Sequence, residues 1–130
     1  MFKIFVPFYT VARLRAEPAA TFVFGDNVQR VGTGGQAVIR HEGNAFGVPT
    51  KWRPSMHTSA LFYDDDHDAQ LEVMVGLDAI EEFLEQGKIV YWPKDGIGTG
   101  LSHWQIQAPK LLAYTQERVS AFLLQYGEER

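Results

Sequence analysis

The chain of 130 residues contains no cysteine. This absence excludes a disulfide framework, cysteine-ligated zinc, iron–sulfur clusters and a thiol nucleophile. The chain also lacks an apolar run long enough to cross a membrane, because the apolar segment at residues 1–8 is far too short. That segment has neither the length nor the small-residue cleavage site of a signal peptide. We therefore expect a cytoplasmic protein with no membrane partner.

Positive charge is scarce, since 12 Lys and Arg stand against 16 Asp and Glu and the net charge is −4. Its distribution is uneven. Residues 1–53 carry seven basic and three acidic side chains, whereas residues 54–130 carry five basic and thirteen acidic ones. An acidic chain is a poor candidate for general nucleic-acid binding. The basic half leaves room for a patch that binds a small anionic ligand.

Glycine is concentrated in two places. Of twelve glycines, six fall within residues 25–47 and three within residues 96–100. Glycine clusters mark backbone that turns tightly or approaches a ligand closely. Each cluster follows an apolar segment and leads towards a predicted helix, an arrangement that aims backbone N–H groups at phosphate oxygens. The first loop has no dinucleotide-binding fingerprint and the second is not a P-loop. The alternative interpretation is two flexible connections built from tight turns.

Hydrophobic patterning predicts an α/β fold for residues 1–130, taken as a single domain. Strands are predicted at residues 2–8, 21–25, 44–50, 58–63 and 88–92. Helices are predicted at residues 35–40, 69–86 and 108–126, after a short amphipathic stretch at residues 11–17. This order predicts a mixed sheet flanked by helices, in which ligands bind where loops leave the carboxyl ends of strands.

Several segments resemble macro domains, and in particular the branch that removes terminal ADP-ribose, which includes antitoxin macro domains that reverse DNA ADP-ribosylation. Residues 24–37, which end in Gly-Gly-Gln-Ala, resemble the first ligand loop. Residues 47–51 (Gly-Val-Pro-Thr-Lys) resemble a strand that ends in Thr-Lys, and residues 69–86 resemble the middle helix. Residues 92–101 resemble the second glycine loop, with an insertion. The likeness covers about residues 20–125.

The resemblance implies a compact three-layer domain whose two loops wrap the diphosphate and distal ribose of ADP-ribose, free or attached to a macromolecule. No cofactor is expected. The loop residues that would contact the ligand are Gly32, Thr33, Gly34, Gly35, Gln36, Ala37, Gly96, Ile97, Gly98, Thr99, Gly100 and Leu101.

Asp26 and Asn27 open the first loop, where they would bind a ribose hydroxyl or an adenine amine. The alternative is a local turn stabilised by their side chains. The acidic run at residues 64–68 does not match a calcium-binding loop. We expect it to favour the positive end of the following helix instead, and we predict no metal site.

The catalytic lysine of the resembled branch, which attacks the anomeric carbon of ribose, falls on Lys51. Its catalytic aspartate falls on Ser102, which cannot act as a carboxylate. His103 follows and would transfer the proton instead, because the pKa of histidine lies near neutrality. The alternative, non-catalytic interpretation is that Lys51 is a solvated cation, Ser102 a capping residue and His103 a surface histidine.

Three functions follow from these residues. The first is binding of ADP-ribose with its hydrolysis from a modified macromolecule, modified DNA included, through Lys51. The second is a non-catalytic sensor or sequestering protein for an NAD-derived nucleotide, which the serine at position 102 favours. The third is a protein–protein interaction module that uses the acidic face.

Overall fold

Four strands form one sheet in the computed structural model, which describes residues 1–127. In chain order the strands are β1 (Phe2–Phe5), β2 (Thr21–Asn27), β3 (Ala45–Lys51) and β4 (Val90–Pro93). They lie in the order β1-β4-β2-β3, and each neighbouring pair is parallel. An isolated antiparallel bridge joins Lys51 to Leu61.

Helices cover both faces of the sheet. They are α1 (Val11–Ala16), α2 (His67–Glu85), α3 (Trp104–Gln107) and α4 (Pro109–Tyr126), with short 3-10 helices at Gly35–Ile39 and Thr58–Ala60. One core lies between the sheet and α2 and α4, and includes Val23, Leu77 and Phe122. A second core, with Leu14 and Ile39, lies between the other face and α1 and the first 3-10 helix. The α/β class with flanking helices is thus confirmed.

The two long helices carry the local signals that their sequences predict. The carboxylate of Asp66 accepts hydrogen bonds from the N–H groups of Asp68 and Ala69 and caps α2. After α2 the chain turns at Gly87, whose φ of +80° suits glycine. Pro109 occupies the first turn of α4. The carboxylate of Asp64 caps the same turn, accepting from the N–H groups of Lys110 and Leu111 at 3.1 and 3.0 Å.

Three predicted boundaries are wrong. Residues 58–63 form a 3-10 turn with a single bridge at Leu61, because His57 caps the turn through the N–H of Ser59. β2 continues through Asp26 and Asn27, which the sequence placed in a loop. β1 ends at Phe5, whose partner Pro93 is the last residue of β4. Since β4 extends no further, the predicted residues 6–8 have no strand to pair with.

Two further findings concern the residues at the end of the chain and the length of the helices. Residues 128–130 of the predicted domain lie outside the described residues. Within residues 1–127, no helix combines the length and apolar character that a bilayer crossing requires.

Candidate ligand site

The two glycine loops leave neighbouring strands, β2 and β4, at the carboxyl edge of the sheet. The loop after β2 leads to the 3-10 helix Gly35–Ile39 on the face of the second core. The loop after β4 leads to Trp104 in the first core, on the opposite face. Loops that diverge to opposite faces open a crevice between them, which is where α/β sheets bind ligands.

Side chains of the protein donate hydrogen bonds to backbone carbonyl oxygens of the first loop. Arg40 donates from Nε to the carbonyl of Gly32 at 2.7 Å and from Nη2 to the carbonyl of Val31 at 3.1 Å. The side-chain amide of Asn27 donates to the same Val31 carbonyl at 2.9 Å. Asn27 is itself buried. It therefore closes the loop and is not presented to a ligand.

The N–H side of this loop is unpartnered. Within the described chain, the backbone N–H groups of residues 32–36 make no hydrogen bond to the protein. Gly32 and Gly35 have φ values of +96° and +56°, which glycine adopts without strain. Gly34, which lies between them, is extended, with φ −80° and ψ 150°. The successive free N–H groups of such a loop are available to donate to an anion. The next donor, the N–H of Ala37, is used internally and bonds to the carbonyl of Gly34.

Asp26 is buried beneath this loop as a structural charge. Its side chain is 2% exposed, and its carboxylate accepts from Arg40 at 2.9 and 2.6 Å and from Arg30 at 3.1 Å. Arg30 also donates to the carbonyl of Gly47 at 2.6 Å. A Cβ at Gly47 would overlap the Asp26 carboxylate, so glycine there leaves room for the ion pair. The predicted ligand residue Asp26 is thus engaged by two arginines.

Gln36 joins the two loops. Its Oε1 accepts from the N–H of Gly25 at 2.8 Å, and its Nε2 donates to the carbonyl of Gly96 at 3.2 Å. Both ends of the side-chain amide are therefore occupied within the protein. The structure brings together the two predicted loops through this residue.

The second loop is folded onto itself and onto the core. Thr99 donates to the carbonyl of Asp95 at 2.7 Å, and Gln105 donates to the carbonyl of Thr99 at 2.7 Å. Ile97 is 3% exposed and its side chain belongs to the first core, so its backbone alone is left for a ligand. Gly98 lies against the Trp104 indole with a φ of +78°. Gly100 and Leu101 are exposed.

A cleft of about 650 Å³ lies beside the first loop. This volume is within the roughly 300–1,000 Å³ that is usual for ligand pockets. Its lining contains residues 33, 35 and 36 of the first loop, and Lys94 and Asp95 at the end of β4. It also contains residues 6–9 after β1 and the apolar side chains of Val38 and Pro93. The cleft therefore combines backbone donors, one cation, one carboxylate and apolar side chains.

The three predicted catalytic residues lie outside the lining of this cleft. Lys51 is the last residue of β3, with Nζ 3.4 Å from the carbonyl of Ser55. Burial lowers the pKa of its amine. Ser102 is buried, and its hydroxyl lies 2.7 Å from that of Thr50. The pairing with β2 shifts at this point, since Asp26 pairs with Pro49 and Asn27 with Lys51, which leaves Thr50 as an extra residue in β3. His103 precedes α3 as its N-cap residue and has a left-handed φ of 55°.

The sequence did not indicate that the apolar residues 6–8 line the cleft, or that Arg40 and Arg30 pair with Asp26. Residues 6–8 were included in a strand, although Pro7 signalled an end. Arg40 and Arg30 carry no local pattern that distinguishes a buried ion pair from a solvated charge. Among the described residues, no group of three or more His, Asp or Glu side chains converges in a way that could hold a metal ion.

One comparison with known proteins gave a match. The model of a family of unknown function, DUF7831, matches residues 4–118. No curated protein and no solved structure matches the chain significantly.

Proposed function

We propose that this chain, which belongs to the family of unknown function DUF7831, binds ADP-ribose or a related nucleotide diphosphate. The cleft beside the first loop is the proposed site. The observation that supports the proposal is the run of N–H groups at residues 32–36, which has no hydrogen-bond partner within the described chain. Residues 33, 35 and 36 of this run line the cleft.

The chemistry of the loop favours an anion with several oxygens. Five adjacent N–H groups supply donors for more than one phosphate oxygen, and no Cβ at Gly32, Gly34 or Gly35 hinders their approach. Lys94 and Asp95 both line the same cleft, so their opposite charges offset each other and the proposal relies on the backbone donors. Arg40 donates hydrogen bonds to the carbonyl oxygens of Val31 and Gly32. The partial negative charge of these two oxygens is therefore compensated within the protein.

Isothermal titration calorimetry tests the proposal directly. We expect ADP-ribose and ADP to bind, and adenosine, which lacks phosphates, to bind at least about tenfold more weakly. A tenfold difference corresponds to about 1.4 kcal/mol, less than one hydrogen bond to a charged group usually contributes. Equal affinities for ADP and adenosine, or no heat with either at millimolar concentration, would contradict it.

A second candidate function is removal of ADP-ribose from a modified macromolecule, with Lys51 as the nucleophile. It is favoured by the burial that lowers the pKa of Lys51, because the neutral amine is the nucleophilic form. Ser102 weighs against it, since its hydroxyl is paired with Thr50 and is no carboxylate.

Turnover assays on ADP-ribosylated DNA and protein separate this enzyme from a non-catalytic binder. If Lys51 is the nucleophile, Lys51→Met abolishes release of ADP-ribose, while Lys110→Met, on the first turn of α4, leaves it unchanged. A wild-type protein that binds ADP-ribose without turnover would establish a sensor or sequestering protein. Turnover that survives in Lys51→Met would remove Lys51 from the mechanism.

A further inference from the structure

Phe8 is exposed to an unusual degree for an aromatic side chain. It is 92% exposed, and neighbouring Val6 is 66% exposed. Both line the cleft that the first glycine loop borders. Single exposed apolar residues are ordinary, but a nearly bare phenylalanine in the wall of a cleft is a surface suited to an apolar or aromatic partner.

The backbone around Phe8 is fixed on both sides. The carbonyl of Phe5 accepts from the N–H of Lys94 at 3.0 Å. Tyr9 is buried, and its hydroxyl donates to the carbonyl of Val23 at 2.6 Å. The Tyr9 ring also contacts that of Phe5, with 5.2 Å between ring centroids. The chain between these anchors contains Pro7, which restricts φ. The exposure of Phe8 is therefore set by the fold around it.

We propose that the Phe8 ring is the stacking surface for the base of a purine nucleoside diphosphate, which deepens the proposed function and rests on it. The lining of the cleft joins two kinds of chemistry, with free backbone N–H groups at residues 33, 35 and 36 and apolar side chains at residues 6–8. A nucleoside diphosphate has the same division between a charged end and a flat apolar end. Stacking on an aromatic side chain supplies the contact for the flat end.

The apolar part of the lining predicts how the base is selected. Val6, Pro7 and Val38, which line the cleft together with Phe8, offer no side-chain hydrogen bond to the edge of a base. Asp26 has no role in base recognition, because its buried carboxylate is engaged by Arg40 and Arg30. With these neighbours Phe8 offers contact to the face of the base, whereas the charged side chains of the lining, Lys94 and Asp95, lie at the end of β4. Adenine and guanine bind alike, and a smaller pyrimidine stacks less.

Titrations of Phe8→Ala with ADP, GDP, UDP and inorganic pyrophosphate test the inference. Leu124→Ala is the matched control, since Leu124 on α4 is 91% exposed and lies outside the cleft. Wild type should bind ADP and GDP within about threefold of each other and UDP more weakly. Phe8→Ala should lose about tenfold or more for ADP and GDP, the usual effect of removing one stacking partner. Its affinity for pyrophosphate should not change, and Phe8→Trp should retain ADP binding.

The outcomes separate the inference from the function on which it rests. If wild type binds ADP and Phe8→Ala binds it equally well, the inference is wrong and the proposed function stands. If ADP exceeds GDP by tenfold and Asp95→Asn removes that preference, the base is read at its edge by Asp95, and the inference is again wrong. If wild type binds neither ADP nor pyrophosphate, both fail.

Discussion

Arg40 binds Asp26 through two parallel contacts, with Nη1 2.9 Å from Oδ2 and Nη2 2.6 Å from Oδ1. The same guanidinium reaches the carbonyl of Gly32 through Nε. One side chain thus connects a buried charge on β2 to the first glycine loop. This connection fixes the carbonyl side of the loop and leaves its N–H groups for a ligand.

Arg40→Met should destabilise the fold by about 3 kcal/mol. This value is the lower end of the range for removing one partner of a buried ion pair, because Arg30 still bonds to Asp26. Arg15→Met is the matched control, since Arg15 pairs with Glu42 while its own side chain is 71% exposed. An exposed pair contributes about 0–1 kcal/mol. Urea unfolding measures both, and equal losses would contradict a structural role for the Asp26 pair.

Gly98→Ala should destabilise the fold by about 2–4 kcal/mol. The residue has a φ of +78°, and a Cβ would overlap the Trp104 indole. Left-handed backbone costs about 1–2 kcal/mol for a residue with a Cβ, and overpacking adds a similar amount. In Gly100→Ala the new Cβ would meet nothing within 4 Å, so its effect should stay within about 0.5 kcal/mol. Thermal unfolding that shows similar losses for both would contradict the packing of this loop.

Glu17→Gln should reduce the loss of stability in acid. Burial alone would raise the pKa of Glu17, but hydrogen bonds from Arg13 and Tyr91 outweigh it and hold the pKa below its ordinary value of 4.5. A depressed pKa in the folded state stabilises the fold above about pH 4.5, and this contribution disappears as the pH falls through the folded value.

Urea unfolding at pH 6 and pH 3 measures this effect. The free energies of unfolding of wild type and Glu17→Gln should differ at pH 6 and converge at pH 3. Glu117→Gln, an exposed substitution on α4, serves as the control. A Glu17→Gln penalty of the same size at both pH values would show that the carboxylate charge is not its cause.

The sequence predicts those features that have local signals. The α2 helix follows from its apolar period, with Asp66 before it and Gly87 after it. The two glycine loops follow from glycine clusters that come after apolar runs. The strand predicted at residues 58–63 is wrong because Leu-Phe-Tyr is typical of strands, whereas the cap at His57 turns the chain.

Other features depend on residues far apart in the chain. Gln36 meets Gly96 across 60 positions and Arg40 meets Asp26 across 14, and neither pair has a local pattern. The exposure of Phe8 depends on where β4 stops, because Pro93 is the last partner that β1 finds. Gln36 reaches Gly96 because β2 and β4 are neighbours in the sheet, and the sequence alone did not provide this order.

The central claim, that the N–H groups of the first loop bind phosphate, is tested most directly at Gly34. Its φ of −80° is close to that of proline, so Gly34→Pro removes one N–H group at a φ that proline adopts. Gly34→Ala keeps the N–H, and its Cβ would meet nothing within 4 Å. Calorimetric titration with ADP-ribose should show Gly34→Pro binding about tenfold or more weakly than wild type, with Gly34→Ala within about threefold. Equal affinities for Gly34→Pro and Gly34→Ala would contradict the account.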